Sequence, residues 1–101
     1  MNAYFKGKTF DVCEKGYLGN YQDYCDEWKE FAARSARVYP LSKEQSLVID
    51  IVRDYYIERG EGAMLRTISA ASGLLPSDIL KMFPRGLVTA IKIAGLPSDC
   101  C

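Results

Sequence analysis

Cys100 and Cys101 end the stretch GLPSDCC at residues 95–101, and Cys13 and Cys25 lie near the start of the sequence. These thiols are the natural place to look for chemistry, because histidine, the commonest general base and metal ligand, is absent. Terminal residues gain little from core burial unless something ties them down, so packing is a weak reason for a terminal thiol pair. Chemistry, partner docking or accident remain as explanations. A structural zinc site asks for thiolates in two closely spaced pairs, and neither Cys13 with Cys25 nor the adjacent terminal cysteines have that spacing; no metal and no cofactor is expected. Cys13 and Cys25 read as compact, half-buried hydrophobes. A disulfide between Cys100 and Cys101 would be strained and readily reduced. Adjacent α-carbons are about 3.8 Å apart, below the ~4.4–6.8 Å that disulfides favour.

The chain that carries these thiols has 101 residues, enough for one modest core, so a single domain over 1–101 is expected. Its apolar share of 49% and charged share of 26% are ordinary for a globular protein. The formal net charge is zero, so no global field draws it to nucleic acid or to an anionic membrane. No apolar run approaches the ~20 residues of a membrane-spanning helix, and the start has no leader pattern. A cytoplasmic protein is expected, with thiols kept reduced unless they serve redox or transfer chemistry.

The elements that must position the thiols read as mostly α with a small N-terminal β-hairpin. Residues 3–12, AYFKGKTFDV, alternate around Gly7 and predict two short strands, which need helices to lean on. CEKGYLGN reads as a loop. From Tyr21 to Val38 the spacing predicts a helix with Tyr24, Trp28, Phe31, Ala32 and Ser35 on one face, stopped by Pro40. Ser42 and Gln45 form a capping box for a second helix, which presents Val48, Ile51, Val52 and Tyr55 and ends at Gly60. This helix is expected to be central and to pack on the first through Trp28 and Phe31. Met64–Ser72 and Ser77–Phe83 predict two short helices about a turn at Gly73, with Pro76 suited to a first helical position. A last helix over Gly86–Ala94 precedes a C-terminal arm, residues 95–101, expected to be mobile.

Residues 65–83 resemble a helix-turn-helix, which would place the helix from Ser77 in a DNA groove. That helix offers Ser77, Asp78 and Lys81, and an acidic tip on a neutral protein suits phosphate poorly. A regulatory DNA- or protein-binding module is the alternative reading, and nucleic acid is the less favoured partner.

A second constellation spans nearly the whole chain. GYL at 16–18, Trp28, PLSKEQSLVIDIVRDYYIERGEGAMLR, LKMFPRG, KIAGLP and a penultimate cysteine occur together and in order. In this the sequence resembles the DsrC/TusE family: gamma-subunit-like partners of dissimilatory sulfite reductase and sulfur relay proteins of tRNA thiolation. The resemblance implies a carrier rather than a self-contained catalyst. Sulfur would ride on Cys100 of the arm, which would visit a protein donor and a protein acceptor, such as sulfite reductase or a thiolation relay complex. It also implies that Arg66 contacts the docked arm; a solvated helix charge is the plainer reading of that residue.

Departures mark this chain as a divergent member. Ile91 stands where the sulfite-reductase partners have a second cysteine, which the relay proteins of the tRNA-thiolation branch also lack. The spacer after GLP is two residues shorter, a loss of roughly 7 Å of extended reach. Cys101 replaces a usual aliphatic residue, and Gln45 and Ser46 replace a histidine-tryptophan pair.

The residues of the arm suit the same chemistry. A sulfur carrier needs an accessible thiolate on a tether, because the thiolate attacks the donor's persulfide. Asp99 and the terminal carboxylate disfavour thiolate. A basic docking surface would offset them, with Arg66, Arg85 and Lys92 as its candidates. Cys101 is either a resolving thiol for Cys100 or incidental.

Overall fold

A computed structural model of the chain describes residues 2–97. Strands β1 (Asn2–Phe5) and β2 (Lys8–Asp11) pair antiparallel, with Phe5 opposite Lys8. The two-residue turn between them, Lys6-Gly7, has φ of 49° and 80°. Both values are positive, as a tight hairpin that follows the strand twist requires. The hairpin lies where the alternation places it.

Five helices follow: α1 (Asp26–Ser35), α2 (Lys43–Arg59), α3 (Leu65–Ser72), α4 (Pro76–Lys81) and α5 (Leu87–Ile93). The capping box at α2 is present in both directions. Gln45 N–H donates to Ser42 Oγ at 3.1 Å, and Ser42 N–H donates to Gln45 Oε1 at 2.8 Å. Gln45 does more than cap, because its amide also donates to the Met82 carbonyl at 2.6 Å. That bond ties the start of α2 to the end of α4. Gly60 and Gly73 close α2 and α3 in the left-handed conformation, and Pro76 occupies the first turn of α4.

The core gathers Leu18, Trp28, Val48, Ile49, Val52, Ile68, Ile79, Ile93 and Leu96, all buried. α5 packs on both α1 and α2, and α2 packs on α3. Trp28, Val48 and Val52 share one core, with Phe31 and Ile51 packed against it. The Trp28 ring sits beside Phe10 and Phe31, at centroid distances of 5.2 and 5.6 Å. Its Nε1–H donates to the Lys92 carbonyl of α5 at 3.0 Å. Phe5 meets Phe31 at 5.6 Å, which seats the hairpin on α1.

Two other expectations need correction. The predicted helix over Tyr21–Val38 is a 3-10 turn, Tyr21–Asp23, followed by α1 after a break at Tyr24 and Cys25. The break has a tertiary cause, because Arg53 of α2 takes the Tyr21 carbonyl at 2.9 Å. The segment read as a loop, residues 13–20, contributes buried Tyr17 and Leu18. There Val12 and Leu18 form an isolated antiparallel bridge, closed by Cys13 N–H donating to the Tyr17 carbonyl at 3.0 Å.

Among the described residues, no helix is long and apolar enough to cross a membrane.

Candidate functional site

The sequence directs attention to the place where the C-terminal arm leaves the fold. The arm was expected to begin at Gly95, yet Gly95 and Leu96 are buried. Cys100 and Cys101, with Ser98 and Asp99, lie outside the described residues. The root of the arm is therefore what the structure describes, and it is held from three sides.

Arg53 is the first hold. Its Nη1 donates to the Ala94 carbonyl at 3.0 Å and its Nη2 to the Tyr21 carbonyl at 2.9 Å. The guanidinium also lies over the Tyr24 ring, 4.0 Å from its centroid. The planar fork of arginine suits this double task, and a lysine offers no such geometry. Helix ends leave carbonyls without helical partners; Arg53 donates to that of Ala94 at the end of α5, and Trp28 adds a donor to the Lys92 carbonyl, which also accepts from Gly95 N–H.

Tyr24 is the second hold. Burial pushes its hydroxyl pKa up to about 12, helped by the nearby carboxylate of Asp50 and opposed by Arg53. The third is Gly95 itself, with φ of +73°. A Cβ there would stand 2.7 Å from Tyr24 Cδ1 and 3.2 Å from Leu18 Cδ2. Glycine meets both demands, the left-handed backbone and the close approach.

The three basic residues proposed as a docking surface do not all converge. Arg85 and Lys92 line one cavity of about 270 Å³ with Ser35, Ala36, Pro84 and Thr89. Arg66 is exposed on the first turn of α3 and does not line that cavity. Arg85 and Gly86 both have positive φ, 65° and 64°, and Thr89 Oγ1 donates to the Pro84 carbonyl, so the turn that presents Arg85 is fixed from within. Lys92 leans over Tyr17, with Nζ 5.1 Å from the ring centroid. It also approaches Gly16, where a Cβ would stand 3.6 Å from Nζ. The Cys13–Tyr17 turn thus lies against the end of α5.

The cysteines near the start differ from one another. Both are half-buried, as expected. Cys25 is a free thiol, whereas Cys13 is disulfide-bonded.

Sequence reasoning missed Arg53, although a signal existed. Positions 49, 53 and 56 share one face of α2, and a cation between Ile49 and Tyr56 interrupts an otherwise apolar stripe. The helix-turn-helix face is as expected: Ser77, Asp78 and Lys81 are exposed on α4.

A family model described as "DsrC like protein" matches residues 4–101. The dissimilatory-type sulfite reductase subunit gamma of Nitratidesulfovibrio vulgaris (Hildenborough) is 36% identical over 94 residues, spanning 92% of this chain and 90% of that protein. Among solved structures, the crystal structure of dissimilatory sulfite reductase I (DsrI) superposes with a TM-score of 0.91 at 34% identity, covering 98% of this chain and 96% of the other. The oxidized gamma-subunit of dissimilatory sulfite reductase (DsrC) from Archaeoglobus fulgidus superposes at 0.82 with 29% identity, covering 98% and 96%.

Proposed function

The chain belongs to the DsrC-like family, and on that footing we propose that it carries sulfur as a persulfide on Cys100, accepting it from one protein and donating it to another. In this reading the chain is a co-substrate of other enzymes rather than a catalyst of its own. The gamma-subunit relative favours dissimilatory sulfite reductase as the system it serves. A tRNA-thiolation relay is the other family setting, and Ile91 in place of a second cysteine is the residue that leans toward it.

The observation that carries the proposal is the anchored arm root. Arg53, Trp28, Tyr24 and the glycine at 95 fix the chain up to Leu96. Any motion of the residues beyond then starts from a constant origin. Two residues, Ser98 and Asp99, separate Pro97 from Cys100, three steps with a reach of at most about 10 Å, so a donor or acceptor must come to this face of the body. Arg85 and Lys92 give that face its positive charge, which offsets Asp99 and the terminal carboxylate and favours the thiolate. Arg66 is a candidate contact for a partner on a different part of the surface.

Incubating the reduced protein with inorganic polysulfide tests the proposal. The intact mass should rise by one sulfur atom or more, and dithiothreitol should reverse the gain. Equal gain by a variant carrying both Cys100→Ser and Cys101→Ser would refute it.

A further inference from the structure

Arg85 and Lys92 face one cavity of about 270 Å³, and no carboxylate shares its lining. Among the described residues the ion pairs are those of Lys6, Lys8 and Arg34 with Glu27 and Glu30. Neither Arg85 nor Lys92 has a carboxylate at ion-pair distance there. We propose that this cavity binds a small divalent oxyanion of the sulfate and sulfite class. The inference goes beyond the carrier reading and does not depend on it, because it concerns a free anion held by the body of the fold.

Charge carries the argument. Two like charges on one cavity repel each other, and low-dielectric walls concentrate their field in the space between. One divalent anion matches both charges at once, which a single chloride ion cannot do. The guanidinium of Arg85 offers a planar fork of donors suited to two oxygens of such an anion, and Lys92 adds a point charge.

Both cations are positioned by the fold without being neutralised. Lys92 is half-buried, with Nζ 5.1 Å from the Tyr17 ring centroid, a contact that steadies the ammonium and leaves its charge in place. Arg85 sits in a turn closed by Gly86 N–H donating to the Phe83 carbonyl at 3.0 Å. The Thr89 hydroxyl donates to the Pro84 carbonyl of the same turn.

The remaining lining narrows the ligand class. The Thr89 hydroxyl proton is already committed to Pro84, and Ser35 Oγ donates to the Phe31 carbonyl at 2.9 Å. The last turn of α1, which carries Ser35, presents the negative end of its dipole. A ligand therefore gains chiefly from the two cations, and a compact, highly charged ion gains most. Size agrees with charge. The cavity, about 270 Å³, falls below the ~300–1,000 Å³ of sites that enclose cofactor-sized molecules. An oxyanion with part of its hydration shell fits that space, and a nucleotide does not.

Amide-shift titration of the reduced full chain tests this, with sodium sulfate exchanged for sodium chloride at constant ionic strength. Sulfate and sulfite should each give saturable shifts centred on residues 84–92 and 35–36. Arg85→Gln and Lys92→Gln should each weaken sulfate binding by about tenfold or more, while Lys92→Arg keeps it and Arg66→Gln matches wild type. Arg85 is exposed, so its variant should keep the native spectrum away from the cavity. Wild-type affinity in Arg85→Gln, shifts centred elsewhere, or an equal response to sodium chloride alone would overturn the site. Tighter binding of AMP than of sulfate would overturn the small-anion assignment.

Discussion

Gly95 and Arg53 concentrate the structural demands of the site into two positions. At Gly95 a methyl group meets left-handed backbone and the Tyr24 ring at once. Gly95→Ala should therefore destabilise the fold by at least ~1 kcal/mol from the backbone alone, more once the ring is displaced; chemical denaturation measures it. Arg53→Met removes the donors to Ala94 and Tyr21. Charged hydrogen bonds of this kind contribute about 1.5–3 kcal/mol each way they are broken. The variant should lose stability on that scale, and amide exchange should rise at residues 93–97 before it rises in α2. Tyr24 should titrate near pH 12 in the folded protein. Its folded pKa lies above the unfolded value of 10.0, so its contribution is whole below that value and is lost as pH rises through the interval between them. These residues were the least legible in the sequence. Gly-Leu-Pro reads as a helix stop followed by a free end. What buries it is Tyr24 and Leu18, more than seventy residues earlier in the chain.

At the scale of elements, local chemistry was readable and its tertiary use was not. Ser42 with Gln45 and the glycines at 60 and 73 announce helix ends through interactions a few residues apart, and the structure has each of them. The break before α1 escaped because its cause is Arg53, thirty-two positions from Tyr21. The hairpin was legible from its turn, but its attachment to α1 needs the fold. Lys6 and Arg34 both hold Glu30 at 2.8 Å. The hydrogen bond from Lys6, followed by that from Arg34, lowers the Glu30 pKa below its ordinary 4.5. A lowered carboxylate pKa stabilises the fold above the unfolded value and ceases to as pH falls through the folded one. Hairpin amides should thus exchange faster in acid while α2 stays protected, and Glu30→Gln should remove most of that acid sensitivity. Equal acid sensitivity in the variant would place the cause elsewhere.

As a whole molecule the protein is a helical body with a hairpin packed on α1 and the arm root buried at the end of α5. Zero net charge and the exposed Asp78 on α4 oppose phosphate contact by the helix-turn-helix-like pair. The protein should therefore show no salt-sensitive retention on duplex DNA. A gel shift lost on Lys81→Ala would contradict this. The central claim concerns where sulfur is held, and peptide-level mass spectrometry after brief loading with polysulfide tests it most directly. The account predicts sulfane sulfur on Cys100 at the earliest times, with Cys25 unmodified. Early sulfur on Cys13 or Cys25, with Cys100 left as a plain thiol, would contradict it.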